Sequence, residues 1–261
     1  MRVMGALNVT PDSFSDGGSY FNTDTAIAHA EQMAEDGADV IDIGGESTRP
    51  FAQPVSPREE LSRVLPVVRG LVARGIRNIS IDTRNASTAH ACLGEGASWI
   101  NDVSAFSHDQ DMVHVAKNAD CVVLMHARGT PDIMQAGEIA YGDVVQQIRE
   151  YLIERVNFAI SQGIERKKIL VDPGIGFGKK LAHNIAITKN LSAFANIGAG
   201  VLYGPSRKAF IGEITGIKDA AQRDFATMAP IAIAELQGVT MVRVHNVKAT
   251  VEMLSVLKQL Q

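Results

Sequence analysis

Eight short apolar segments, separated by longer stretches with helical periodicity, recur along this chain of 261 residues. Each segment is too short for a helix, and several are rich in β-branched residues, which favours strands. The segments are Val3–Leu7, Val40–Ile43, Ile79–Ile81, Trp99–Ile100, Cys121–Met125, Ile169–Val171, Gly200–Tyr203 and Met241–Val244. Strands that alternate with helices form parallel sheets, so about eight such cycles without a linker predict one closed (β/α)8 TIM barrel over residues 1–261.

The helical stretches carry recognisable start signals. Ser56 is followed by Pro57 and, three residues after the serine, by Glu59, which predicts a helix that begins at the proline. Asp143 is the predicted cap of another helix. Helices are predicted over Thr25–Glu35, over Val144–Ser161 and from about Val247 to Leu260.

An open, doubly wound sheet is the alternative architecture for this alternation. Such sheets usually carry a glycine-rich dinucleotide-binding fingerprint after the first strand. Here the first segment is followed by Asn8-Val9-Thr10-Pro11-Asp12 instead. The pattern therefore favours the barrel.

Charge and composition argue against several classes of function. The formal net charge of −4 argues against non-specific nucleic-acid binding, which needs clustered Lys and Arg. No apolar run approaches the ~20 residues that span a bilayer, and the amino-terminal residues lack the features of a secretory signal. We therefore expect a cytoplasmic protein with no membrane partner. Cys92 and Cys121 are isolated, so we expect two buried thiols and neither a disulfide nor a zinc site.

Polar residues end or follow nearly every apolar segment. They are Asn8, Asp42, Asp82, Asn101 with Asp102, His126, Asp172, Ser206-Arg207-Lys208, and Arg243 with His245. In a barrel the carboxyl ends of the strands converge on one rim, where barrel enzymes keep their active sites. For a single Asp at a strand end, helix capping and a functional role are equally good explanations. Capping does not explain why Asn, Asp, Lys, Arg and His all occur at the strand ends.

Cationic side chains fall at the last two strand ends. Arg243 and His245 are two residues apart, so they point to the same side of a strand. The last predicted helix begins just after them with free N–H groups, and Lys208 comes from the neighbouring loop. These two loops form the usual anion site of barrels, so the set suits a phosphate or pyrophosphate. The alternative is a surface salt bridge from Arg243 to a helix carboxylate.

The acidic and amide groups at the other strand ends suit a neutral ring rather than an anion. Asp82, Asn101 and Asp172 can pair with a heterocycle that displays amino and amide groups on one edge. The segment 172–179, Asp-Pro-Gly-Ile-Gly-Phe-Gly-Lys, adds backbone freedom and an aromatic wall, although it lacks the spacing of a P-loop. His126 has no partner at metal-ligand spacing. A hydrogen-bonded structural histidine is therefore favoured over a metal ligand or an acid–base group.

Two long motifs and six short ones resemble those of the dihydropteroate synthase family. The long motifs are residues 8–18, NVTPDSFSDGG, and residues 42–50, DIGGESTRP. The short motifs are residues 82–83, 101–103, 124–126, 172–179, 206–208 and 243–245. They occur in order across the whole chain, which is far more specific than any single pattern.

The resemblance implies a transferase of folate biosynthesis that is a target of sulfonamides. Enzymes of this family join 6-hydroxymethyl-7,8-dihydropterin pyrophosphate to 4-aminobenzoate and release 7,8-dihydropteroate and pyrophosphate. The residues that resemble pterin binders are Asp82, Asn101, Met125, Asp172, Phe177 and Lys208. Those that resemble pyrophosphate binders are Thr48, Arg243 and His245, and those that resemble the 4-aminobenzoate pocket are Phe14, Arg49 and Pro50. Asn8 resembles the ligand of a Mg²⁺ cofactor, and the family also implies a homodimer.

The implied chemistry is a dissociative substitution in which pyrophosphate leaves before the amine attacks. The groups expected to act in it are Asp82, Lys208, Arg243 and His245. Two other functions remain open. One is a pterin-binding module of a methyl-transfer system, which has no need of the cationic cluster. The other is a non-catalytic paralogue that binds pterin.

The chain departs from the family pattern at two positions near the amine end. Ala209 stands where a Ser commonly follows the Ser-Arg-Lys motif, and Phe51 stands where a Gly commonly follows Thr-Arg-Pro. A helix N-terminus still binds a carboxylate without the hydroxyl, so neutral drift is the favoured explanation. Altered discrimination against sulfonamides is the alternative, because Phe51 would crowd groups that protrude beyond the natural substrate.

Overall fold

Eight parallel strands close into one barrel in sequential order. The computed structural model describes residues 1–10, 19–46, 54–129 and 139–261, with only the backbone described for residues 19–22. The first strand pairs with the second on one side and with the last on the other, which closes the sheet. The predicted (β/α)8 fold is confirmed.

The strands and helices alternate along the chain. The strands are β1 Arg2–Asn8, β2 Val40–Gly44, β3 Ile79–Asp82, β4 Trp99–Asp102, β5 Cys121–Met125, β6 Ile169–Asp172, β7 Gly200–Tyr203 and β8 Met241–Val244. The helices are α1 Ser19–Glu35, α2 Pro57–Ala73, α3 Ala86–Gly94, α4 Met112–Ala116, α5 Val144–Ser161, α6 Leu181–Lys189, α7 Ala209–Thr215, α8 Asp224–Leu236 and α9 Val247–Gln259. Several strands extend one or two residues beyond their apolar segment and end on the polar residue, while α1 begins earlier than predicted.

The side chains of the strands alternate between the barrel interior and the surrounding helices. One buried cluster fills the interior, with Met4, Val40, Trp99, Cys121, Val123, Leu170, Leu202 and Met241. The intervening residues, such as Ile41 and Ile81, belong to a larger cluster shared with the helices. Toward the carboxyl ends of the strands the inward positions become polar. Asp42, Asp82 and Asn101 each lie two residues after an inward apolar or small residue, and residues two apart on a strand point to the same side. The apolar plug thus forms the floor of a polar mouth.

Two predicted helix starts are confirmed by their hydrogen bonds. The Ser56 hydroxyl accepts from the Glu59 N–H at 3.2 Å, at the start of α2. The Asp143 carboxylate accepts from the N–H groups of Val145 and Gln146, each at 3.0 Å, at the start of α5. Both side chains satisfy backbone donors that the first turn of a helix leaves open.

We expect Asp143→Ala to lower the free energy of unfolding by about 1 kcal/mol, because the variant removes both cap hydrogen bonds. Urea denaturation of the variant and the parent measures the change. Glu154→Ala, an exposed substitution on the same helix, is the matched control. Equal destabilisation by both would show that the cap contributes nothing specific.

The two cysteines are buried, as the sequence predicted. Cys92 and Cys121 are both buried and free. Burial raises the pKa of each thiol to about 12, so neither is a thiolate near neutral pH. Among the described helices, none combines the length and apolar character that crossing a bilayer requires.

Candidate active site

The polar mouth of the barrel brings together predicted site residues from seven of the eight strands, and β2 contributes Asp42 beside them. They are Asn8 on β1, Asp82 on β3, Asn101 on β4, Met125 on β5, Asp172 on β6 with Phe177 in the loop after it, Lys208 after β7, and Arg243 and His245 on and just after β8. Asp172 pairs in register with Met125, and Asp82 pairs with Asn101. The groups predicted from strand ends therefore share one rim.

Arg243 lies between two aspartates of neighbouring strands. Its Nε donates to Asp42 Oδ2 at 2.6 Å, and its second terminal nitrogen, Nη2, donates to Asp82 Oδ2 at 3.0 Å. Asn101 Nδ2 donates to the same Asp42 oxygen at 3.0 Å. These carboxylates stand on strands, so the alternative of a surface salt bridge to a helix carboxylate is wrong. Among the residues that the structure describes, the hydrogen-bond partners of the Arg243 guanidinium are both strand residues.

Burial also sets the charge of the two carboxylates at the ends of β3 and β6. Loss of water raises the pKa of Asp82 to about 7, against the opposing effect of Arg243. Burial raises the pKa of Asp172 to about 6, against the opposing hydrogen bond from the Gly174 N–H at 2.7 Å. Both groups are therefore poised to gain or lose a proton close to neutral pH.

Lys208 and Phe177 form one wall of the mouth. The Lys208 Nζ lies 4.1 Å from the centre of the Phe177 ring, a cation–π contact. Phe177 packs on Met125, so a flat apolar surface adjoins the ammonium group. Gly176 has a φ of +84°, and a Cβ there would lie 3.2 Å from Lys208 Cδ, so the loop needs glycine at this point. Loss of water and the charge of Arg243 lower the pKa of Lys208 to about 8.

A second lysine, Lys179, is buried behind this wall. Its Nζ donates to the carbonyl oxygens of Gly174 at 2.7 Å, Phe177 at 3.0 Å and His126 at 3.2 Å, and lies 3.0 Å from His126 Nδ1. Burial and the neighbouring Lys179 lower the pKa of His126 to about 3, so its ring is neutral, and Nδ1 is one of four acceptors that share the three hydrogens of the ammonium group. Tyr151 meets that ring edge-on. His126 is thus the hydrogen-bonded structural histidine that the sequence favoured.

The end of β8 is tied to the loop after β7. Ser206 Oγ lies 2.9 Å from His245 Nδ1 and also accepts from the His245 backbone N–H at 3.2 Å. Arg207 forms a bidentate pair with Asp224 at 2.6 and 2.8 Å, and Asn246 also donates to that carboxylate. Asn246 in turn caps α9 by accepting from the Ala249 N–H. Arg207 therefore holds the loop in place, and both Lys208 and His245 lie within electrostatic reach of Arg243.

Asn8 offers the kind of ligand that Mg²⁺ prefers. It ends β1 beside Gly44, and within the described part of the chain its side-chain amide makes no hydrogen bond. Mg²⁺ takes oxygen ligands and is usually held by one or two protein groups together with substrate phosphates and water. One free amide oxygen beside the cationic end of the mouth fits that mode. The described residues hold no cluster of three or more His, Cys, Asp or Glu side chains arranged for a metal.

Four predicted site residues and one departure from the family pattern lie outside the described residues. They are Phe14, Thr48, Arg49, Pro50 and Phe51. The other departure, Ala209, is exposed and is the first residue of α7, directly after Lys208. Of the two positions that depart from the family pattern, only Ala209 is therefore described.

Three residues that organise this site have no role that the sequence predicted. Asp42 orients Arg243, Lys179 ties the loop after β6 to β5, and Ser206 binds His245. Strand alternation could have identified Asp42, because it lies two residues beyond the inward Val40. Nothing in the sequence pattern indicates the contacts of Lys179 and Ser206, which depend on how two loops fold.

Comparison with known proteins identifies the family. The family model described as pterin binding enzyme matches residues 4–245. The chain belongs to the pterin-binding enzyme family. This pterin-binding enzyme is 45% identical over 257 residues to the dihydropteroate synthase of Neisseria meningitidis serogroup C, an alignment that covers 97% of the chain and 90% of the relative. It is 42% identical to a folate synthesis bifunctional protein of Arabidopsis thaliana, with 96% of the chain covered but only 54% of that longer protein.

A solved structure of similar sequence has the same fold. The dihydropteroate synthase of Xanthomonas albilineans with 4-aminobenzoic acid superposes with a TM-score of 0.93 at 42% identity. The match covers 100% of this pterin-binding enzyme and 93% of that chain. The likeness thus extends over the barrel and its rim together.

Proposed function

We propose that this pterin-binding enzyme is a dihydropteroate synthase, a transferase that joins 6-hydroxymethyl-7,8-dihydropterin pyrophosphate to 4-aminobenzoate. The observation that carries the proposal is a mouth in which an acidic end meets a cationic end. Asp82, Asn101 and Asp172 offer acceptors and an amide at the acidic end, and Arg243, at the cationic end, pairs with Asp82 where the two ends meet. Lys208 lies close enough to interact with Asp172, Asp82 and Arg243. Such a mouth suits a flat ring with amino and amide edges that carries an anionic leaving group.

The pterin ring is assigned to the acidic end. Asp172 presents its free oxygen to the ring, since the other oxygen accepts from the Gly174 N–H. Met125 and Phe177 supply an apolar surface against a ring face, and Lys208 supplies a donor beside it. Asn101, which donates to Asp42, keeps its carbonyl oxygen for a ring amino group.

The pyrophosphate is assigned to the cationic end, with Thr48 as a further predicted binder. As the bond to pyrophosphate lengthens, Arg243 and His245 stabilise the negative charge that develops on the leaving oxygen. Asp82, close to the ring, stabilises the positive charge that develops on the pterin methylene and spreads into the ring. The amine of 4-aminobenzoate then attacks that carbon and loses a proton, and no covalent bond to the enzyme forms.

Magnesium is the proposed cofactor, and Asn8 is the residue proposed to hold it. When bound, Mg²⁺ would neutralise part of the pyrophosphate charge as a Lewis acid. Phe14, Arg49 and Pro50 stay predicted residues of the 4-aminobenzoate pocket. They are proposed to exclude water that would otherwise compete with the amine.

Release of pyrophosphate tests the proposal directly. Purified enzyme is given the pterin pyrophosphate and Mg²⁺, with and without 4-aminobenzoate, and pyrophosphate and dihydropteroate are measured. We expect stoichiometric formation of both products when the amine is present. A methyl-transfer module or a non-catalytic pterin binder would form neither, and that result would reject the proposed function.

Binding of 6-hydroxymethylpterin is expected to depend on pH in a bell-shaped manner. The carboxylates accept from the ring only when ionised, so affinity should rise as pH increases through about 6 and 7, the pKa values of Asp172 and Asp82. It should fall above about 8, where Lys208 loses its proton. Calorimetric titration from pH 5 to pH 9 measures this. A flat profile below pH 7 would show that these carboxylates do not hold the ring.

A homodimer and a cytoplasmic location are proposed as well. Apolar side chains on α8 and α9 are largely exposed in the single chain, with Phe225 at 92%, Leu236 at 65% and Val256 at 62%. Such a surface is commonly covered by a second subunit. Sedimentation velocity tests the dimer. The location rests on the sequence features alone.

A further inference from the structure

Ser206 contacts His245 through two different atoms. Its Oγ accepts from the His245 backbone N–H at 3.2 Å and lies 2.9 Å from His245 Nδ1. The serine is buried, with 7% of its surface exposed. Its χ1 rotation is therefore limited by the backbone N–H that points at the oxygen.

Counting donors assigns the hydrogen in this pair. A serine hydroxyl carries one hydrogen and accepts through its lone pairs. The backbone N–H of His245 already donates to the oxygen, and within the described residues the hydroxyl has no acceptor other than Nδ1. Among those residues Nδ1 is therefore the available acceptor for the hydroxyl hydrogen, and it can receive that hydrogen only when it is unprotonated. In a neutral imidazole the other nitrogen, Nε2, then carries the hydrogen.

We propose that Ser206 is a positioning residue that holds His245 in the neutral tautomer with hydrogen on Nε2, so that this N–H donates to the departing pyrophosphate. The proposal rests on the proposed function, because the anion is the product of that reaction. It gives a role to Ser206, a residue of the Ser-Arg-Lys motif for which the sequence indicated none.

The surroundings of His245 favour a neutral ring. Burial, followed by the charges of Arg243, Arg207 and Lys208, lowers the pKa of His245 to about 3. Asp224 is the carboxylate with the opposite effect, and it is already bound by Arg207 and Asn246. His245 thus has no free carboxylate that would stabilise an imidazolium among the described residues.

A neutral donor suits the release of an anion. Pyrophosphate leaves as an oxyanion and needs hydrogen bonds but no proton from the protein, so no proton is transferred from His245. A fixed Nε2–H supplies a directed hydrogen bond beside Arg243 without adding a third adjacent positive charge. If the ring exchanged freely between its two tautomers, the Nε2 lone pair would face the anion part of the time and repel it.

Nitrogen NMR of the free enzyme measures the tautomer without any ligand. In enzyme labelled with 15N-histidine, the His245 signals are assigned by their loss in His245→Gln. At pH 7.5 we expect the wild type and Ser206→Thr to show one Nε2–H tautomer, and Ser206→Ala to show a mixture. An Nδ1–H tautomer or an imidazolium in the wild type would overturn the proposal. So would an unchanged tautomer in Ser206→Ala.

Binding of pyrophosphate with Mg²⁺ then links the tautomer to function. We expect about 10-fold weaker binding for Ser206→Ala, with binding near the wild-type level for Ser206→Thr, since about one directed hydrogen bond is lost. Ser255→Ala, an exposed serine on α9, is the control and should change nothing. Unchanged affinity in Ser206→Ala, while wild-type turnover is normal, rejects this inference alone. Absence of wild-type turnover rejects the proposed function. The NMR experiment still tests whether Ser206 fixes the His245 tautomer, because it needs neither ligand nor turnover.

Discussion

Asp172→Asn is expected to weaken binding of 6-hydroxymethylpterin by about 100-fold, or about 3 kcal/mol. The substitution keeps the size of the side chain and changes only one oxygen into an NH₂ group. Because Asp172 Oδ1 accepts from the Gly174 N–H at 2.7 Å, the amide oxygen of Asn should take that same position. The NH₂ group then faces the ring edge, where a donor meets donors and the ring loses its acceptor.

Calorimetry with 6-hydroxymethylpterin at pH 8 measures the effect, since Asp172 is ionised there in the parent enzyme. Asp120→Asn is the matched control, because Asp120 is exposed and precedes β5 at the opposite end of the barrel. Circular dichroism should show both variants folded. If Asp172→Asn binds the pterin as tightly as Asp120→Asn does, Asp172 does not hold the ring.

The fold could be predicted from the sequence because its signal is local. Each strand is an apolar run of a few residues, and each helix has its own periodicity and often its own cap, such as Asp143 before α5. Strand ends could be predicted only to within one or two residues. Asp82 and Asp172 interrupt the apolar pattern while still pairing with neighbouring strands.

The candidate site could be predicted as a set of residues but not as a network. The rule that barrel strands end at one rim brings Asp82, Asp172 and Arg243 together without any knowledge of distances. It does not show which groups pair, since Arg243 and its partner Asp42 are 201 residues apart in the chain. Lys179 binds backbone carbonyl oxygens, and a carbonyl belongs to every residue, so no sequence pattern marks such a contact.

Arg243→Met is expected to lower kcat/KM for the pterin pyrophosphate by about 1,000-fold, because it removes a fixed donor from the leaving oxygen. It should also lower the free energy of unfolding by about 3 kcal/mol, since the fully buried Asp42 loses its cation. Single-turnover release of pyrophosphate and urea denaturation measure the two effects. Binding of 4-aminobenzoate should change far less, because Arg243 is assigned to the other end of the mouth.

A second substitution separates the catalytic effect of Arg243 from its structural one. Asp42→Asn in the Arg243→Met background removes the unpaired buried charge while keeping an oxygen for the Asn101 amide, so most of the lost stability should return. Activity should not return, since the donor to pyrophosphate is still missing. Arg69→Met is the control for loss of an arginine, because Arg69 pairs with Glu95 on the exposed surface, where solvent screens the interaction and the pair contributes little to stability. If the double variant regains both stability and turnover, Arg243 acts only by neutralising Asp42, and the pyrophosphate must be held by other groups.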